Sequence, residues 1–326
     1  DDGVYFSIEK YRQSGKTYGQ LAELTAANTS EARINNDEYD KASVHDFALW
    51  KLQKAGEPAW EFDLDGHQLL GRPGWHIECS AMSSQALGQP FDIHTGGVDL
   101  IFPHHENEIA QSTAGRDDAT YARYFVHNEH LLVDGKKMSK SLQNFYTLRD
   151  IQEHGYEPLA FRLMMLQAHY RSQTNFTWEN LQAAQNRLKN YQAMADHRWQ
   201  PQSSGTIDTE AFKTAQSAML GALQNDLHTA EALAVLSGLE TAIDIGGITP
   251  GSQGVYEEFL TWLDGVLGLQ LAARQDITYE NKQLLALRQA ARDQQDWTQA
   301  DKLRDQLATR QLGVRDTPHG QVWYRL

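Results

Sequence analysis

Three plausible zinc ligands lie within residues 71–111, namely Cys79, His104 and Glu108. His104 and Glu108 are four positions apart, a spacing that places both side chains on one face of a helix and lets them reach a single ion. We expect Cys79 to reach the same point from the end of a preceding strand. Thiolate, imidazole and carboxylate are all zinc ligands, and three protein ligands with an open fourth position are typical of a catalytic zinc site.

The same residues also fit a simpler interpretation, in which Cys79 is a buried small hydrophobe and His104 and Glu108 lie on a helix surface. The surrounding sequence favours the metal site, because residues suited to a ligand pocket crowd around it. They are Trp75, His76, Asp92, His94, Gly96, Gly97, Asp99 and His105. The two glycines follow the strand-like run FDIH, where backbone could approach a ligand closely. A glycine pair is equally compatible with an ordinary turn.

Composition limits the class of protein. The chain has 326 residues, 40% of them hydrophobic, which predicts two or three domains. No apolar run is long enough for a membrane span, and residues 1–25 lack the pattern of a signal peptide, so we expect a cytoplasmic protein without a membrane partner. A single cysteine excludes an intrachain disulfide framework. The net charge of -14 argues against broad contact with nucleic acid, although the lysines at 136, 137 and 140 form a local basic cluster.

The elements that must position these residues follow from periodicity. Residues 66–130 alternate strand-like and helix-like segments, which favours a parallel sheet with flanking helices. Within them, WHIECSAMSSQALG is expected to run from strand into helix. Beyond residue 150 the apolar residues recur every three or four positions, which predicts a helical bundle. The last fifty residues predict two helices, the second capped by Gly313, and a hairpin that turns at residues 318–320.

Three segments carry a resemblance to a known family. They are GWHIECSAM, FDIHTGGVDLIFPHHENEIAQS and DGKKMSKSLQN, and the last contains a KMSKS sequence at residues 137–141. Together they resemble cysteinyl-tRNA synthetase, a class I aminoacyl-tRNA synthetase. The resemblance implies the second half of a Rossmann-like α/β fold, followed by a mostly α-helical bundle and a small C-terminal α+β anticodon-binding module.

The resemblance also implies domain bounds along the chain. Residues 1–45 are expected to be the tail of a connective insertion, and residues 46–124 the second half of the Rossmann-type catalytic domain. Residues 125–175 are expected to form a stem-contact region with the KMSKS loop. A helical bundle over 176–272 and the anticodon-binding module over 273–326 complete the predicted order.

Roles for single residues follow from the same resemblance. Cys79, His104 and Glu108 are implied as three of the four ligands to one Zn²⁺ that binds the substrate sulfur, the fourth family ligand being an upstream cysteine that this sequence lacks. His105 could support the metal from outside its ligand shell. The implied catalytic residues are Lys137, Lys140 and His94, the substrate-binding residues Trp75, His76 and Asp99, and the ATP-binding residues Gly96, Gly97 and Lys140. Arg292, Asp301 and Asp316 match anticodon-reading positions.

The implied reaction activates cysteine with ATP and Mg²⁺ and transfers it to tRNA-Cys, and we expect a monomer. The HxGH signature of class I synthetases is absent from this sequence. We therefore expect an N-terminally incomplete enzyme that is inactive by itself. Two alternatives are a non-catalytic tRNA-binding paralogue and a cysteine:amino-sugar ligase; the terminal module argues against the second. A zinc hydrolase would leave the KMSKS sequence unexplained.

Overall fold

The computed structural model describes residues 2–22, 46–116, 120–139 and 141–326. Most of the connective-insertion tail predicted over residues 1–45, namely residue 1 and residues 23–45, therefore lies outside the described residues. None of the helices in the described part of the chain combines the length and the apolar character needed to cross a bilayer. The chain forms two compact units, Asp1–His130 and Leu131–Leu326, and each is described by itself.

The first unit combines an antiparallel sheet with a parallel strand pair. Its elements are β1 (Gly3–Phe6), α1 (Ile8–Gln13), β2 (Phe47–Leu52), β3 (Trp60–Leu64), β4 (His67–Pro73), α2 (Trp75–Leu87), β5 (Phe91–Gly97), α3 (Glu106–Thr113) and β6 (Ala122–Asn128). The sheet order is β1-β2-β4-β3, with every pair antiparallel, and β5 pairs with β6 in parallel. The parallel pair agrees with the α/β prediction, because α3 lies in the crossover between its strands. The antiparallel sheet was not predicted.

The segment that carries Cys79 is helical throughout, so the expected strand at its start is wrong. Strand β4 ends at Pro73, and Gly74 caps α2 with extended backbone angles. A β-carbon at position 74 would lie 2.0 Å from the carbonyl oxygen of Ala48, and the Gly74 N–H donates to Leu49 O at 2.9 Å. The close approach to β2 thus requires glycine here and starts the helix at the next residue. Cys79 projects from the second turn of α2.

A buried carboxylate anchors the chain between α1 and β2. Glu106, at the start of α3, is 1% exposed, and its two oxygens accept hydrogen bonds from four consecutive backbone N–H groups. The donors are Gly19 and Gln20, both at 3.0 Å, Leu21 at 2.5 Å and Ala22 at 2.9 Å. Because a buried carboxylate is stable only when its acceptor sites are filled, this contact fixes residues 19–22 against α3.

The second unit is mostly helical. Its elements are β7 (Leu131–Val133), β8 (Lys136–Lys137), α4 (Leu148–Glu153), α5 (Pro158–Leu166), β9 (Thr174–Phe176), α6 (Trp178–Asp196), α7 (Thr209–Gln224), α8 (Thr229–Gly246), α9 (Gln253–Leu267), α10 (Tyr279–Asp293), α11 (Trp297–Thr309), β10 (Leu312–Thr317) and β11 (Gly320–Arg325). The face of α6 predicted from its periodicity is buried at every position: Leu181, Ala184, Leu188, Tyr191 and Met194 are at most 2% exposed. This face packs in one core with α5, α7, α8 and α9.

The terminal hairpin forms as predicted, whereas the predicted helix cap is wrong. Strands β10 and β11 pair antiparallel around a turn at residues 318–319, with Val314 opposite Trp323. Helix α11 ends at Thr309, and Gln311, at φ 61°, makes the left-handed turn that follows. Gly313 lies inside β10, where a β-carbon would sit 2.3 Å from Cζ of Tyr324. The glycine therefore accommodates a cross-strand ring and does not end the helix.

Polar contacts join this hairpin to the end of α6. Asp196 is fully buried and accepts from Arg274 Nε at 2.9 Å and Arg274 Nη2 at 2.6 Å, and from Arg325 Nε at 3.3 Å. The Gln200 side chain pairs with the backbone of Trp323 in both directions, at 3.0 Å and 2.8 Å. The Gln200 side chain thus pairs with β11 as the backbone of an adjacent strand would. Trp323 is 5% exposed and belongs to the core beneath the hairpin.

Replacing Asp196 should destabilise the second unit strongly. In Asp196→Ala two arginines lose a fully buried carboxylate, and Arg274 is itself only 16% exposed. Removing one partner of a buried ion pair costs about 3–5 kcal/mol. We expect a loss of this size in the free energy of unfolding measured by urea titration.

A matched control is Asp276→Asn, because Asp276 pairs with Lys282 at a more exposed position. Exposed pairs contribute about 0–1 kcal/mol, so this variant should unfold near the wild-type midpoint. A loss below about 1 kcal/mol for Asp196→Ala would contradict the anchoring role.

Candidate functional site

The three predicted zinc ligands converge in the first unit. Cys79 lies on α2, His104 on the helical turn Ile101–His105, and Glu108 on α3. One ligand atom from each residue lies within 4.8 Å of the others. His104 is 4% exposed and Glu108 is fully buried, while Cys79 is partly buried. The four-residue spacing therefore brings His104 and Glu108 together, and Cys79 reaches them from a helix.

Glu108 is shared between two histidines. Its Oε1 lies 2.8 Å from His104 Nε2, and its Oε2 lies 2.6 Å from His94 Nε2 on β5. Burial by itself would raise the pKa of Glu108, but the contacts with His104 and His94 outweigh it and lower the pKa to about 2. Oε1 is buried without a hydrogen-bond partner. The contact with His104 is therefore within ion-pair distance but outside hydrogen-bond geometry.

The remaining contacts of His104 agree with that arrangement. Its Nδ1 lies 2.7 Å from Nδ1 of His76, so one of the two rings donates the proton. If His104 Nδ1 donates, Nε2 keeps its lone pair toward Glu108 and Cys79. The Trp75 ring stacks on His104 with centroids 4.3 Å apart, and Trp75 is 50% exposed. Trp75 therefore forms an aromatic wall between this cluster and the surface.

His105 belongs to a second cluster beside the first. Its Nδ1 lies 2.8 Å from His127 Nε2 on β6, and its ring centroid lies 4.4 Å from that of His94. Burial is the main reason that the pKa of His105 falls to about 4, so the ring is neutral at neutral pH. His94, His105 and Glu108 also offer ligand atoms within 4.8 Å of one another. His127 was not predicted, because only the parallel register of β5 and β6 brings it here.

The cysteine is a thiol in this environment. Burial raises the pKa of Cys79 to about 11, and the nearby Glu108 carboxylate adds to the rise. A cation at this point would reverse both effects, since it favours the thiolate directly and neutralises the carboxylate. The electrostatics of the cluster therefore favour a positively charged ligand.

The two glycines at the end of β5 face protein groups. A β-carbon at position 96 would lie 2.8 Å from His105 Cε1 and 3.0 Å from Leu100 Cδ1. At position 97 it would lie 2.3 Å from Asp99 Oδ1. Asp99 is 60% exposed and lies 4.0 Å from His130 Nε2. Gly96 thus leaves room for the His105 ring, and Gly97 lets the Asp99 carboxylate fold back against the strand.

The KMSKS loop belongs to the second unit. Lys137 ends β8 and is exposed, and Lys140 lies outside the described residues. Asn144 accepts from Ser139 N at 2.9 Å and donates to Lys137 O at 3.1 Å. Asn144 therefore holds the two sides of the loop together. This role was not predicted, although Asn144 is the last residue of the segment DGKKMSKSLQN.

The three residues predicted to read the anticodon form two groups. Arg292 Nη1 on α10 lies 3.1 Å from Asp316 Oδ2 on β10, so these two predicted residues meet. Asp301 is 64% exposed and pairs with Arg304 one turn along α11, at 3.2 Å. The guanidinium of Arg292 lies 5.5 Å from the centroid of the Trp297 ring, which is 56% exposed. Trp297 was not predicted, although a tryptophan five residues after a predicted anticodon-reading residue was a signal, because aromatic side chains stack on bases.

Comparison with known proteins gives the family. Residues 1–186 match the catalytic-domain family described as tRNA synthetases class I (C). Over 333 residues the chain is 42% identical to the cysteine–tRNA ligase of Chlamydia felis, which is 98% of this chain and 68% of that protein. The chain belongs to the cysteine–tRNA ligase family. The cysteine–tRNA ligase of Solibacter usitatus is 40% identical over 338 residues, covering 100% of this chain and 70% of that protein.

Two further comparisons agree with the family. Residues 274–323 match the cysteinyl-tRNA ligase anticodon binding domain. The LeuRS of Agrobacterium radiobacter, in a ternary complex with tRNA and LeuAMS, aligns with a TM-score of 0.51 at 14% identity, covering 67% of this chain and 34% of that one. This likeness shows the class I fold alone, and it confirms the predicted α/β class.

Family membership settles the class of function. Ligation of cysteine to its tRNA is the function of this family, and relatives of that name align along nearly the whole chain while both family regions match. The amino-sugar ligase and the non-catalytic paralogue are not favoured. Cysteine, ATP and tRNA are the partners that the family implies.

The close packing of the His105 ring against Gly96 provides a test of the site geometry. Gly96→Ala should push the His105 ring away and break its 2.8 Å contact with His127. Overpacking of this kind costs about 1–3 kcal/mol, so we expect a lower thermal unfolding midpoint and shifted histidine ring signals in NMR spectra.

Gly115→Ala is the matched control in the same unit, because nothing lies within 4 Å of a β-carbon there. It should change stability by no more than about 0.5 kcal/mol. Unshifted His105 and His127 signals in Gly96→Ala would contradict the geometry.

Proposed function

We propose that the first unit of this ligase binds the substrate cysteine through one Zn²⁺ held by Cys79, His104 and Glu108. The observation that carries the proposal is the convergence of these three residues, each of which offers a ligand atom within 4.8 Å of the others. The buried Oε1 of Glu108 faces His104 Nε2 at 2.8 Å outside hydrogen-bond geometry, so it keeps acceptor capacity for a cation. Thiolate, imidazole and carboxylate form a donor set that suits zinc.

The protein groups around the cluster prepare it for that ion. The proton between His76 and His104 sets which nitrogen of His104 is available, and His94 orients the second oxygen of Glu108. When bound, zinc supplies a soft Lewis acid that can take the substrate sulfur as a ligand.

This arrangement explains selection of cysteine over serine. A pocket that measured volume alone would discriminate by about 1–3 kcal/mol for one small group. A sulfur ligand adds a bond that the serine hydroxyl copies poorly. Trp75 and His76 then line the substrate, and the exposed carboxylate of Asp99 is suited to its ammonium group. His94 acts at the same site through its contact with Glu108.

ATP and tRNA are assigned to other groups of the chain. We assign contacts with ATP and its Mg²⁺ to the backbone at Gly96 and Gly97 and to Lys140, with Lys137 as a second ammonium at the phosphates. Lysine offers a compact positive charge to the phosphate charge that develops during activation. Arg292, Asp301 and Asp316 are assigned to the anticodon, since donors and acceptors at an exposed surface read base edges. We further propose a cytoplasmic monomer.

The zinc assignment is tested by Cys79→Ser. Loss of the thiolate should lower zinc affinity at least about tenfold, so zinc measured by mass spectrometry after dialysis should fall from one ion per chain to a small fraction. Calorimetry on the zinc-loaded wild type should show cysteine binding that a chelator abolishes and that serine does not reproduce.

Glu78→Gln is the matched control, because Glu78 is an exposed neighbour of Cys79 on the same helix. This variant should retain zinc and cysteine binding. If Cys79→Ser kept one zinc per chain together with preference for cysteine over serine, the assignment would be wrong.

A further inference from the structure

We propose that Arg288 is a positioning residue for anticodon recognition: it holds the Asp316 carboxylate in the orientation in which Asp316 and Arg292 contact a base. The proposal rests on the anticodon role assigned to Asp316 and Arg292 above. Arg288 was not predicted from the sequence.

The contact between Arg288 and Asp316 is bidentate. Arg288 Nη1 donates to Asp316 Oδ1 and Arg288 Nη2 to Asp316 Oδ2, both at 2.9 Å. Nη1 also donates to Gln321 Oε1 at 3.0 Å, and Gln321 Nε2 donates to Leu285 O at 2.6 Å. The guanidinium is therefore fixed between α10 and both strands of the hairpin, and two parallel hydrogen bonds define the plane of the carboxylate.

Exposure separates the two arginines that contact Asp316. The side chain of Arg288 is 4% exposed, that of Arg292 31% and that of Asp316 38%. A base at the surface can therefore reach Asp316 and Arg292, whereas Arg288 lies beneath them. Arg288 therefore acts on recognition through the side chains that it holds, and Asp316 is the more exposed of them.

The difference in burial between Arg288 and Asp316 distinguishes their ion pair from a purely structural one. At Asp196 the carboxylate is fully buried and its Arg274 partner is 16% exposed, so that pair only ties elements together. At Asp316 a buried cation supports a carboxylate that faces solvent. Each carboxylate oxygen has two acceptor directions, and Arg288 uses one on each oxygen. Arg292 Nη1 lies 3.1 Å from Oδ2, so the second direction of Oδ1 is the one that can accept an N–H group such as the amino group of a base.

Electrostatics agrees with this geometry. The hydrogen bond from Arg288 is the main cause of the lowered pKa of Asp316, and Arg292 lowers it further. The carboxylate is therefore ionised at neutral pH and can act only as an acceptor. Arg292 contacts Asp316 with one of its five N–H groups, so the exposed pair offers both acceptor and donor character to a base.

The experiment is a double-mutant cycle on aminoacylation, with the longest native form of the enzyme and tRNA-Cys transcripts. Arg288→Met, Asp316→Asn and the double variant are compared on the wild-type anticodon and on transcripts with one anticodon base changed. In each single variant we expect KM for tRNA to rise about tenfold, kcat to stay within about twofold, and discrimination between the transcripts to fall about tenfold. The double variant should lose no more than about twofold further, because both changes remove one interaction.

Two additional variants separate positioning from folding. Arg288→Lys keeps the buried charge but cannot form the bidentate contact, so it should fold and still lose most of the discrimination. Arg310→Met removes an exposed arginine of the same module that donates to Asn281 Oδ1 at 3.0 Å, and it should leave KM for tRNA unchanged.

Two results would overturn the proposal and differ in what else they reject. Loss of discrimination in Asp316→Asn but not in Arg288→Met or Arg288→Lys would reject positioning and leave the anticodon role intact. Full discrimination in Asp316→Asn would reject the anticodon role of Asp316, and the proposal with it.

Discussion

The first unit depends on one buried carboxylate, Glu108. Taking a carboxylate out of water is costly, and the protein compensates by placing a histidine beside each oxygen, His104 from the preceding turn and His94 from the parallel strand β5. These contacts fix α3 against β5, and the Cys79 side chain on α2 lies within 4.8 Å of the same groups. The neutral ring of His105 and the protonated Cys79 thiol leave the cluster with a negative charge at its centre. The proposed Zn²⁺ thus balances a negative charge that the fold already places at this point.

The second unit uses the same chemistry for two purposes. Around Asp196 a buried carboxylate gathers arginines from the chain after the bundle and from the last strand, which ties the terminal module to α6. Around Asp316 the burial is reversed, since the arginine is buried and the carboxylate is exposed. The fully buried carboxylate of Asp196 contributes only stability. The exposed carboxylate of Asp316, which is held by a buried arginine, remains available to a ligand.

The parts of the fold that depend on local spacing were predictable from sequence, and those set by long-range packing were not. The four-residue spacing of His104 and Glu108 and the apolar face of α6 are local patterns, and both predictions are confirmed. The strand before Cys79 was wrong because the contact between Gly74 and Ala48, 26 residues apart, starts the helix there. His127 and Arg288 enter through strand register and through a contact that spans 28 residues, and neither leaves a periodic signal. The resemblance to a known family supplied what spacing alone left open.

The most direct test of the central claim is zinc K-edge X-ray absorption on the zinc-loaded chain, with and without cysteine. One zinc–sulfur distance of about 2.3 Å is expected from Cys79, and added cysteine should contribute one more sulfur at a similar distance. Serine should leave the spectrum unchanged. A sulfur count that does not rise with cysteine would contradict the claim that the metal at Glu108 binds the substrate sulfur.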